Sequence, residues 1–179
     1  AYSQQTVESV TIGLVWTLCQ AKHQGLAMSP QHPTRTLSWS GTLVGKPLNE
    51  LCTWVKEWDA YQATVGMAAI NAALSANVEN LNGTTLNAGN LAVFEYFLPK
   101  ADWVFLTATS LINKTFPRLA ELASNATTVL MGATVPWLTE LKQFNIDYLA
   151  GVKVIDAKKL QQTVQEGGGT RIFETGVRY

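Results

Sequence analysis

Residues 101–115, ADWVFLTATSLINKT, and residues 127–137, TTVLMGATVPW, decide how this chain folds. Each couples a short apolar run rich in β-formers to a polar turn, and each is followed by a helical pattern, FPRLAELAS at 116–124 and WLTELKQF at 137–144. Downstream come DYLAG, VKVID and the amphipathic AKKLQQTVQEG, ending at residue 167. Strands alternating with helices at this spacing predict parallel strands joined by crossover helices. Residues 101–166 therefore read as a Rossmann-like fragment with flanking helices. Three or four strands can be counted, against the roughly five or six of a doubly wound sheet. The shortfall predicts a strand supplied by Leu91–Phe97, borrowed from a partner, or lacking from the sequence.

Working outward, residues 8–21, ESVTIGLVWTLCQA, alternate with period two and predict one strand. Gln24–Met28 and Leu37–Val44, the latter punctuated by Gly41 and Gly45, predict two more, joined by the proline-bearing loop SPQHPTR in an antiparallel meander. Pro47 suits a first helical turn, and Leu48, Leu51, Cys52 and Val55 recur at i, i+3, i+4 and i+7. Residues 63–76, ATVGMAAINAALSA, are small and apolar on both sides and predict a helix buried between two layers. Residues 1–77 thus form a small α+β unit, and 101–179 a second unit of α/β class. Between them, 78–100 read as a linker: residues 77–90 hold five Asn and two Gly and almost no large apolar side chain.

Composition limits what such a chain can do. Of 179 residues, 47% are hydrophobic and only 15% charged, which excludes intrinsic disorder. Lys plus Arg and Asp plus Glu are both 13, so the electrostatic attraction behind non-specific nucleic-acid binding is missing. Zero net charge favours self-association, and a homo-oligomer, a dimer first, is expected. No run reaches the length of a membrane span and no basic-then-apolar leader opens the chain, so a cytoplasmic location without membrane contact is expected, although Ala1 replaces an initiating Met. Cys19 and Cys52 sit in apolar surroundings without CxxC spacing and read as buried thiols. His23 and His32 have no partner at helical ligand spacing, so no side-chain metal site is expected.

In open parallel sheets ligands bind beyond the carboxyl ends of the strands. There the first strand delivers Thr107, Thr109, Ser110, Asn113, Lys114 and Thr115, more polar groups than one helix cap can use. Ser110, Asn113 or Thr115 can cap the helix carrying Pro117. The second strand delivers Gly132, Ala133 and Thr134, an anion cradle or an ordinary turn, with Pro136 placed to open a helix. Asn71 is the lone amide of an apolar helix and needs a partner, either a ligand or the other unit. Asp156 reads as a helix cap, Gly167–Gly169 as a helix terminator and turn, and Arg171 as an anion contact or a solvated side chain. No nucleophile–base pair is visible, so the residues point to a ligand-binding protein or an enzyme that handles a small anionic metabolite, with the reaction type unread.

In order and spacing, ADWVFLTATSLINKT, TVLMGATVPW, DYLAGVKVID and EGGGTRIF resemble the C-terminal domain of the putative heavy-metal chelation family. IGLVWTLC, GTLVGKPLNEL and VGMAAINAAL resemble the N-terminal domain that accompanies it. The resemblance implies an enolase N-terminal-like domain, a Rossmann-like domain, and a site in the cleft between them. It also implies a further strand where NLNGTTLNAGN stands, so residues between about 77 and 100 are expected to be missing from the sequence. The ligand implied is a small anionic molecule, with a heavy-metal ion or metal chelate as the cofactor or cargo. A non-catalytic assembly or sensor subunit is the alternative.

Overall fold

A computed structural model describes residues 5–75 and 98–179. Residues 8–21 form two strands instead of one: β1 (Ser9–Ile12) and β2 (Trp16–Gln20) are antiparallel, and the Gly13 N–H donates to the Trp16 carbonyl at 2.9 Å across the reversal. Gly13 is needed there because a Cβ would lie 2.6 Å from the Val164 carbonyl oxygen. The next strand, β3 (Gln24–Met28), falls where the pattern put it and completes the order β1-β2-β3. Residues 37–44 correct the reading: they make successive turns and no strand. Gly41 at φ 78° and Gly45 at φ 84° break an extended run that short.

Helix α1 (Leu48–Thr53) buries Leu48 and Leu51 and passes into a 3₁₀ turn, Trp54–Lys56. Pro47 lies just ahead of the helix, extended at ψ 131°, and not inside its first turn. Helix α2 (Ala60–Leu74) is capped by Asp59, whose carboxylate accepts from the Gln62 N–H at 2.8 Å. It packs on β2, β3 and α1, and its approach to β3 is set by Gly25: a Cβ there would stand 2.0 Å from the Ala72 nitrogen.

The second half begins with a 3₁₀ turn, Leu98–Lys100, and three strands in a parallel sheet of order β4-β5-β6: β4 (Trp103–Thr107), β5 (Thr127–Met131) and β6 (Tyr148–Ala150). Val104, Leu106 and Leu130 pack with Phe116 and Ala120 of α4 (Phe116–Leu122), which follows the one-turn helix α3 (Thr109–Ile112). Each such fully buried Leu or Val contributes about 1.5–3 kcal/mol. Pro136 opens no α-helix: Leu138 is still extended and only a 3₁₀ helix, Thr139–Phe144, follows. The segment VKVID does not join the parallel sheet either. Its β7 (Lys153–Val154) pairs antiparallel with β8 (Val177–Arg178) in a separate ribbon.

Sequence patterning gave no sign of where the C-terminal segment goes. Side chains alternate across β1-β2-β3, so Val10, Ile12, Cys19 and Ala27 face α1 and α2. Trp16, Leu18 and Leu26 point the other way and are covered by Leu160 and Val164 of α5 (Ala157–Gln165), Ile172 of α6 (Ile172–Thr175) and Val177. The end of the chain is thus the second layer on the first sheet. Asp156 caps α5, accepting from the Lys159 N–H at 3.0 Å. Gly167, at φ 78°, ends it: the Gly168 N–H donates to the Thr163 carbonyl at 2.7 Å and the Gly167 N–H to that of Val164 at 3.1 Å, a Schellman turn. Of the linker expected at 78–100, residues 98–100 form the 3₁₀ turn; the rest of it, with the strand expected at Leu91–Phe97, lies outside the described residues. Among the described residues no helix is long and apolar enough to cross a membrane.

Candidate functional site

Thr107 ends β4 opposite Met131 of β5, and the Ala108 N–H donates to the Met131 carbonyl at 2.9 Å, so the two strand ends are held side by side. The Thr107 and Thr109 hydroxyls lie 2.9 Å apart at the surface. Ser110 is buried, and its hydroxyl donates back to the Thr107 carbonyl at 2.7 Å, locking the one-turn helix. Asn113 accepts from both the N–H and the hydroxyl of Thr115, at 3.1 and 2.7 Å. Neither Ser110, Asn113 nor Thr115 makes a side-chain cap on α4; the polar loop shapes itself instead.

Lys114 adopts φ 65°, and its ammonium donates to the Val55 carbonyl in the first unit. Burial holds its pKa below the usual lysine value, and the nearby Glu57 carboxylate opposes that shift. At the end of β5, Gly132 has φ 109° with open space above it, and its N–H donates to the Ala150 carbonyl at 2.9 Å. Ala133 is buried beside Leu26 and Leu160.

Thr134 and Asn71 form the seam between the halves. The Thr134 hydroxyl accepts from the Met28 N–H at 3.0 Å, and its carbonyl accepts from Asn71 Nδ2 at 3.1 Å. The same amide nitrogen donates to the Leu26 carbonyl at 2.7 Å, so one side chain holds β3 and the β5 loop together. Asn71 Oδ1 and Gln24 Oε1 are buried without a hydrogen-bond partner among the described residues, and both residues line a small pocket of about 20 Å³. The sequence-derived set is therefore divided. Thr107, Thr109, Asn113, Thr115 and Gly132 stand at the open strand ends, Ser110, Ala133, Thr134 and Asn71 are built into the frame, and Lys114 bridges the two units.

One feature escaped the sequence reading. A cavity of about 890 Å³ lies between the β1–β2 turn, the loop after β3 and the end of α5. The loop SPQHPTR, read only as a connection, supplies His32 and Arg35 to its lining. An imidazole between two prolines, with a cation two residues after the second, was the signal available. Tyr61 holds this loop, donating its hydroxyl to the His32 carbonyl at 2.8 Å and meeting the imidazole edge-on at 5.2 Å.

Among the described residues no three His, Cys, Asp or Glu side chains are grouped to hold a metal ion. Both cysteines are free thiols. Burial, then the neighbouring Cys52, pushes the Cys19 thiol up to about 12, and burial raises Cys52 to about 11, so both stay protonated near neutrality.

Residues 1–74 match the model of one family, DUF4213, and residues 76–179 that of another, DUF364, and both are described as putative heavy-metal chelation. The chain belongs to this putative heavy-metal chelation family. Its fold is that of a solved DUF364 protein of unknown function from Desulfitobacterium hafniense, with TM-score 0.85 and 22% identity over 97% of this chain and 90% of that one. A Pyrococcus horikoshii member of unknown function is also similar, with TM-score 0.81 and 18% identity over 98% and 92%. An uncharacterized protein of Methanocaldococcus jannaschii is 36% identical over 84 residues, 45% of this chain and 32% of the relative. The match thus spans about a third of that relative's length.

Proposed function

We propose that this member of the chelation family binds a small anionic molecule, a metal chelate or its precursor, at the carboxyl ends of β4 and β5 where they meet the first unit. The observation that carries the reading is the exposed Thr107–Thr109 hydroxyl pair beside Gly132, whose backbone faces open space. Hydroxyls and amides are hard oxygen and nitrogen groups, suited to orienting carboxylate or phosphate oxygens and poorly suited to gripping a soft metal ion directly. A metal handled here would arrive as cargo inside its own organic complex. Lys114 would add positive charge from the rim while its ammonium stays on the Val55 carbonyl. Thr134 and Asn71 would fix the opposing wall.

Native mass spectrometry of protein purified from its own host tests the reading. The unaltered chain is expected to carry a small molecule that a Thr107→Val/Thr109→Val variant has lost, with the two proteins melting together. Equal retention by both would move the ligand elsewhere.

A further inference from the structure

The cavity of about 890 Å³ beside the β1–β2 turn is within the size range of small-molecule sites, and the strand-end reading makes no use of it. Its walls come from both halves of the chain. Ile12 and Leu14 of the β1–β2 turn form one side, Pro30 and Leu37 another, and Gly167 closes the end of α5. Leu14 is 82% exposed and offers its aliphatic side chain to this space. Gly167 of the Schellman turn lies beside it: a Cβ there would stand 3.0 Å from the Leu14 Cδ1. Arg35 lines the same space and makes no hydrogen bond or ion pair with any described residue. The one carboxylate on the lining, Glu166, is already engaged by Gln162 Nε2 at 2.9 Å.

An exposed arginine without a partner among the described residues, on the same lining as aliphatic side chains, is a combination with a definite complement. The guanidinium offers a planar fork of donors to a carboxylate, sulfonate or phosphate, and the leucines and proline accept a flat apolar body. The Tyr61–His32 contact fixes the loop that presents Arg35, so little ordering has to accompany binding. We infer that this cavity is a second binding site, separate from the strand ends, for a small molecule with one anionic group on an apolar or aromatic body.

The test uses 8-anilinonaphthalene-1-sulfonate, which has that chemistry, titrated by fluorescence and calorimetry against the full chain. Saturable binding of one dye per chain is expected. Arg35→Ala should weaken it at least about tenfold, as expected for loss of a charge-assisted hydrogen bond. Leu14→Ser should weaken it by a similar factor, and both variants should melt with the unaltered chain. Thr109→Val should leave it unchanged, which separates this site from the strand-end proposal. Inorganic phosphate, which has the charge and no apolar body, should fail to displace the dye at equal concentration. No saturable binding, dye affinity indifferent to Arg35→Ala or Leu14→Ser, or loss of binding in Thr109→Val would each overturn the inference.

Discussion

Thr109 and Thr134 follow the ends of adjacent parallel strands, yet they meet different fates. Thr134 is 2% exposed, with its hydroxyl on the Met28 amide and its carbonyl on Asn71. Thr109 shares a surface hydroxyl pair with Thr107. The first belongs to a seam where groups of the two units bond to one another, and the second to an edge where hydroxyls are left over. The residue type is the same, and what differs is whether the first unit is packed against it. Glycines repeat the contrast: Gly25 exists because a helix backbone occupies the space of a Cβ, whereas Gly132 has nothing above it and is needed for its positive φ.

The sharpest way to break this comparison is at Gly25. Gly25→Val should cost more than about 3 kcal/mol, enough to abolish cooperative unfolding in a thermal melt, because α2 cannot retreat without uncovering the core. Gly41→Ala, with open space around it, should cost only about 1 kcal/mol of backbone strain. Equal effects would mean that α2 is not seated on β3 as described. Next in size, Asn71→Ala removes two seam hydrogen bonds and should lower stability by about 2 kcal/mol in urea titration.

The cysteines sharpen the frame side of the contrast by pH. The folded chain holds Cys19 at about 12 against an ordinary value of 9.0, so it favours the neutral thiol. That contribution is complete below pH 9 and is lost as pH rises toward 12. The melting temperature should therefore fall across this window, and a Cys19→Ala/Cys52→Ala variant should fall less steeply. Parallel curves would remove the buried thiols from the account.

Much of the second unit was legible because WVFLT, TTVLM and YLA are short runs of β-formers set at crossover spacing, and the structure returns them as three parallel strands. Local pattern also found α2 and the Asp156 cap, both decided within a few residues. It failed where tertiary contact overrides it. Residues 8–21 alternate like one strand, but the run reverses after Gly13, where only a residue without a Cβ fits beside the Val164 carbonyl. VKVID has a strand composition and still leaves the sheet, because β8, more than twenty residues away, pairs with it. Which hydroxyls would be spent on the frame could not be read, since Thr134 finds its partner at Met28, 106 positions earlier.

The most direct test places Thr134→Val and Thr109→Val side by side, measuring melting temperature and the amount of co-purified small molecule for each. Thr134→Val should lose about 1–2 kcal/mol with ligand retained per folded chain, as expected when a buried amide loses its acceptor. Thr109→Val should stay within about 0.5 kcal/mol of the unaltered chain and come away empty. A stable, ligand-loaded Thr109→Val protein would contradict the division between seam and open edge.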